Sequence, residues 1–204
     1  MAVNNYVEYE KLPEKIAKLQ GAGENIQAKF QAVYTAAQDM NKGWDGKRYV
    51  DVAKAFNDMI PSINELVKTL VTTVPDQLGQ VAKNYASFNG TSVSYTPKAA
   101  KAIGNIPEGN PVGMKFNETE VTSAKDKIFK GFGDAESVMN NEAQAAVTSI
   151  LASWRGEAAD SFDTLFKTLK ANILNQIGEV KQKVNENMAQ TIEDARKTES
   201  NSTF

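Results

Sequence analysis

The sequence predicts an all-α fold: two antiparallel helical hairpins packed as a four-helix bundle. Three observations predict it. First, the chain repeats at a shift of 110 residues, with Trp44-Asp45-Gly46 on Trp154-Arg155-Gly156 and Gly21-Ala22-Gly23 on Gly131-Phe132-Gly133. A single ladder at one offset (Phe56/Phe166, Ile63/Ile173, Val67/Ile177, Leu70/Val180, Val74/Val184, Leu78/Met188) argues duplication of one structural unit. Second, apolar residues recur at steps of three and four over long stretches, the signature of one face of a helix. Third, each of the two tryptophans lies two residues before a glycine, between two such stretches.

In the first copy, Ile16, Leu19, Ile26, Phe30, Val33, Ala37 and Met40 mark the leading helix. The matching stretch in the second runs from Ile128 to Ile150. Each Gly-x-Gly pair interrupts its helix and is expected to mark a hinge, since two interior glycines cost roughly 2 kcal/mol against alanine. A phosphate-cradling loop is rejected for these glycines, because no strand precedes them and no third glycine or lysine completes the motif. Trp44, Gly46, Trp154 and Gly156 read as a structural turn, with glycine reversing the chain and tryptophan buried beside it. After the first turn the stripe Phe56, Ile60, Ile63, Val67, Leu70, Val74, Leu78, Val81, Tyr85, Phe88 predicts a long helix, kinked at Pro61 and Pro75. After the second, Phe162 to Ala195 gives a proline-free counterpart.

The organisation is therefore a first hairpin at 1–88, a Pro/Gly-rich linker at 89–117 and a second hairpin at 118–204. Within the linker, Val93 to Tyr95 suits an extended path and Lys98 to Ile103 one short helical turn. Tyr85 reads as a core aromatic ending its stripe.

The chain has 204 residues, 41% of them hydrophobic, with no cysteine and no histidine. That removes disulfides, thiolate nucleophiles, the usual zinc sites and the commonest general base. Residues 1–102 carry a net +2 and residues 103–204 a net −4. Neither half has the basic footprint of a nucleic-acid binder. The first residues lack a basic and apolar leader, and no apolar run reaches membrane-spanning length. No nucleophile–base pair or ligand cluster stands out, so the expectation is a non-enzyme without cofactor or metal.

A hairpin of about a hundred residues with Trp-x-Gly at its turn resembles the WXG family, the ESAT-like substrates of bacterial type VII secretion. Trp154-Arg155-Gly156-Glu157-Ala158-Ala159-Asp160-Ser161-Phe162 carries the likeness best, while Lys47, Arg48 and Val52 depart from it in the first copy. The resemblance implies a pair of hairpins fused into one chain as a pseudo-dimer, with the bundle completed internally. It also implies a secreted, non-enzymatic protein that leaves without a cleaved leader and acts through helical protein–protein surfaces. Its partners would be the secretion machinery or a co-secreted toxin. The alternative is a cytoplasmic targeting partner that binds a helical segment of a larger toxin. Neither copy has the family's whole export signal, a tyrosine with an acid four residues on. Tyr85 has Asn89 at that place, and Glu199 has Ala195 in place of the tyrosine. In the family's dimers the two turns lie at opposite ends, which sets a distance for the linker. A helix of ~40 residues is roughly 60 Å long. The 29 linker residues can span that length, since about 3.3 Å each gives roughly 95 Å.

Overall fold

In the computed structural model, residues 6–201 are described, with side chains described for 6–198. Strand β1 (Tyr6–Val7) leads into α1 (Leu12–Gly43), and β2 (Trp44–Asp45) forms the first turn. The return rod is α2 (Lys47–Lys68), a π-helical segment at Thr69–Thr73, and α3 (Val74–Phe88). An extended segment crosses the molecule to β3 (Lys115–Phe116). The second hairpin is α4 (Glu118–Val138), a π-helical segment at Met139–Ala143, α5 (Gln144–Ser153), β4 (Trp154–Arg155) and α6 (Glu157–Asn201). The result is an all-α bundle of four long rods.

Its core lies between the copies. The broadest contacts are α1 on α4 and α2 on α6. All twelve side chains of the apolar ladder are buried there, each stabilising by about 1.5–3 kcal/mol relative to exposure. Phe56 stacks on Phe132 at 5.9 Å, and Phe30 meets the edge of Phe132 at 6.4 Å. Beside them Tyr34 donates to the carbonyl of Phe56 at 2.5 Å, and burial pushes its hydroxyl pKa up.

The glycine pairs do not break their helices: α1 runs through Gly21 and Gly23, and α4 through Gly131 and Gly133. Helix-on-helix packing overrides the propensity. A Cβ at Gly23 would lie 2.6 Å from Val71 Cγ2, and one at Gly131 would lie 2.6 Å from Val33 Cγ2. One glycine of each pair lets a neighbouring rod approach, and it is not the equivalent one in the two copies. Pro61 stays inside α2, whereas Pro75 opens α3 just after the π segment. Lacking an N–H, Pro75 leaves the carbonyl of Val71 without its i+4 donor, and the buried side chain of Gln20 donates to it at 3.3 Å.

That π segment also shifts the phase of the stripe beyond it. One extra residue in the turn rotates the downstream helix α3, so Ala82 and Ala86 take the buried positions. Tyr85 is thrown outward to 41% exposure and Phe88 to 90%, which corrects the expectation of a core tyrosine.

The linker is part of the packing. Lys98 to Ile103 form no helical turn, and the segment from Thr91 to Asn110 is without regular structure. It runs back along α2 from the Thr72 level to the Trp44 turn, burying Ile103 and Ile106 in the core.

Candidate functional site

The sequence places its strongest signal in the two Trp-x-Gly turns, and the strands beside them show how they are held. β3, leading into the second hairpin, pairs antiparallel with β2, setting Phe116 opposite Trp44. β1, leading into the first, pairs with β4, setting Val7 opposite Trp154. Each turn is thus clasped by the strand that opens the other copy. The matching amides Glu8 and Asn117 donate to the carbonyls of Ser153 and Gly43, at 2.9 and 2.7 Å. Since the clasps lie at the two ends of α1, the tryptophans stand at opposite ends of the bundle, and the crossing segment joins those ends lengthwise.

The turn backbone explains its residues. Trp44 and Trp154 are extended, and the next glycines sit at φ 107° and 124°. With ψ at 176°, Gly46 occupies a region open essentially to glycine alone. From that conformation its carbonyl accepts the Val50 amide at 3.1 Å, and that of Gly156 accepts Asp160 at 3.1 Å, starting the return helices.

At the Trp44 end the indole is fully buried, with Tyr49 at 6.0 Å and the edge of Phe116 at 5.8 Å. The crossing segment completes the closure. Tyr49 donates to the carbonyl of Pro107 at 3.0 Å, and Asp45 Oδ1 accepts the amides of Gly46 and Asn110 at 3.0 and 2.5 Å. Burial, then the Asp45 charge, raises the pKa of the Tyr49 hydroxyl. Outside this cap Arg48 pairs with Asp194 of α6 at 2.6 Å.

The Trp154 end is more open, and Trp154 is only partly buried. Its neighbours are Phe162 at 6.2 Å and Val7 across the clasp. Where the first copy has Gly43, this one has buried Ser153, whose Oγ accepts from Lys15 at 2.5 Å and donates to Glu8 at 2.6 Å. The Ser153 hydroxyl, with Tyr6 and Lys11, holds the Glu8 carboxyl down at about 2. Arg155 lies 5.7 Å over the Tyr6 ring, and Tyr9 stacks on Tyr85 at 6.5 Å. This end therefore presents Tyr6, Tyr85 and Phe88 to solvent.

Of the residues marked as a degenerate export signal, Tyr85 is accessible, and Asn89 ends α3 with its side-chain amide donating to the Tyr85 carbonyl at 2.8 Å. The side chain of Glu199 lies outside the described residues. Among the described residues no group of three or more acidic side chains is placed to hold a metal ion. None of the described helices is long and apolar enough to cross a membrane. No family profile, characterised protein or solved structure matches the chain.

Proposed function

We propose that this chain is a non-enzymatic WXG-type protein, exported by a type VII secretion system and acting through helical protein–protein surfaces. The observation that carries the reading is the pair of Trp-x-Gly turns, each reversing a hairpin whose apolar face is covered by the other hairpin. The internal completion of the bundle supports a self-sufficient fused pair, in place of a half that must find a second chain. Exposed Tyr85 and Phe88 at the open end offer an aromatic surface for recognition by the secretion machinery.

The test is export. The chain, expressed in a bacterium with an active type VII system, is expected in the culture medium and absent from the medium when the system's ATPase is deleted. Equal amounts in both media would sink the proposal. One observation favours the targeting-partner alternative: Asn89 replaces the acid of the signal and is engaged in capping α3. Under that alternative the chain stays in the cell, and a co-expressed toxin needs it for export.

A further inference from the structure

The crossing segment is held by a repeated device that the turns do not need. Three side chains along the α2 rod read its main chain at three stations. Asn57 donates to the carbonyl of Ile106 at 3.1 Å and accepts its amide at 2.9 Å. Asn64 does the same with Ile103, at 3.1 and 2.8 Å. Thr72 donates to the carbonyl of Lys98 at 3.0 Å and accepts the amide of Ala100 at 2.9 Å. An amide exchanging two bonds with one residue repeats the pairing of neighbouring strands in an antiparallel sheet. From α1, Gln20 and Gln27 donate to the carbonyls of Thr96 and Lys101 at 3.1 and 2.8 Å.

The spacing of these readers matches an extended ligand. The occupant faces the groove every third residue, at Ala100, Ile103 and Ile106, with the residues between them exposed. Three is the period of polyproline II, which has no internal hydrogen bonds and leaves its main chain free to be read. On α1 the readers are seven apart, as are Asn57 and Asn64. Asn64 and Thr72 are eight apart, and Thr72 itself lies in the π segment at Thr69–Thr73. Its wider turn takes up the extra residue and returns Thr72 to the same face. The second copy has none of this, since a shift of 110 puts Lys130, Ser137, Lys167, Leu174 and Gln182 at these positions.

A groove that reads main-chain groups and two apolar side chains selects a kind of backbone more than a sequence. We propose that the α1–α2 face is a binding site for an extended segment of a partner protein. The segment it fits has apolar residues three apart and free main-chain N–H and C=O groups. Residues 95–110 fill the site in cis, as a tethered competitor. Tethering gives the internal segment an effective concentration of roughly millimolar, so the site opens to a partner when this segment is drawn off. The inference stands independently of the export reading.

The test inserts protease recognition sites in the full chain after Gly90, which is exposed and is itself retained, and after Val112, which is 92% exposed. Uncut protein should ignore a fluorescent synthetic peptide of residues 91–112. After both cuts the bundle should keep its helical melt, retain the excised segment on gel filtration, and exchange it for the labelled peptide. N-methylation at the Ile103 and Ile106 nitrogens should weaken binding by about tenfold or more. A peptide of unrelated sequence that keeps only the two isoleucines three apart should bind within about tenfold of the native one. Unfolding of the cut bundle would mark the segment as a structural stave and overturn the proposal. Equal binding of the N-methylated peptide, or failure of the unrelated one, would overturn it as well.

Discussion

Trp44 and Trp154 hold equivalent places with nearly the same backbone, φ −138° and ψ 127° against φ −142° and ψ 121°. One is nevertheless sealed and the other partly open. The turn motif fixes the backbone, and burial depends on what crosses above it. A tandem chain has one linker for two ends, and here the linker arrives over Trp44, bringing Pro107 and Asn110 onto Tyr49 and Asp45. The Trp154 end is held instead by a polar relay from Lys15 through Ser153 to Glu8. A duplicated motif can thus yield one end specialised for closure and one left accessible.

The comparison is tested most severely by removing each indole. Trp44→Ala should cost about 3–5 kcal/mol through the cavity it leaves, and Trp154→Ala only about 1–3 kcal/mol, because part of that ring is already in water. Urea melts of the two variants measure the gap, and equal losses would erase the distinction between the ends. The glycines come next. Alanine at Gly46 combines backbone strain of about 1–3 kcal/mol with a Cβ only 2.6 Å from the Gly113 carbonyl. Gly156→Ala meets the strain of its own positive φ, so both substitutions should lower the melting temperature, and a melt unchanged by either would remove the strain from that turn.

Between the ends, the Gly-x-Gly pair of α1 should split in sign. Gly23→Ala is expected to destabilise by about 1–3 kcal/mol, since the new methyl has Val71 and Leu70 within 3.0 Å. Gly21→Ala, whose Cβ meets nothing within 4 Å, should stabilise by up to about 1 kcal/mol. Thermal melts with both changes in one direction would refute the close-approach account.

The smallest effect is confined to the open end. The fold lowers the Glu8 carboxyl from 4.5 to about 2, so its contribution is whole above pH 4.5 and is lost as pH falls towards 2. In a Trp44→Phe background, Trp154 emission should shift across that window. Glu8→Gln should abolish the shift, and its persistence in that variant would assign the change to other groups.

The parts of this fold legible in the sequence were those set by periodicity: the rods, the duplicated core ladder and the turn glycines. Local propensity misled where tertiary contacts compete with it. Gly23 and Gly131 read as breaks because their cost in a helix is visible, while the rods pressing against them are not. The stripe failed after Leu78 because a π turn changes phase without changing composition. The Trp154 environment depends on where the linker lies, which no repeat in the sequence encodes. Gln20, Gln27, Asn57 and Asn64 did leave a trace, as amides seven apart beside an apolar stripe. Polar residues on a helix flank ordinarily face water, so that spacing carried meaning only once the extended segment lay against it.

The reciprocal clasp also sets a timetable for the nascent chain. The partners of Tyr6 and Val7, Arg155 and Trp154, are made about 150 residues after them, a wait of roughly 7–30 s at ordinary synthesis rates. Trp44 waits about half as long for Phe116. On the ribosome the sealed end can therefore form before the open one, and β1 is a free edge until Trp154 and Arg155 have emerged.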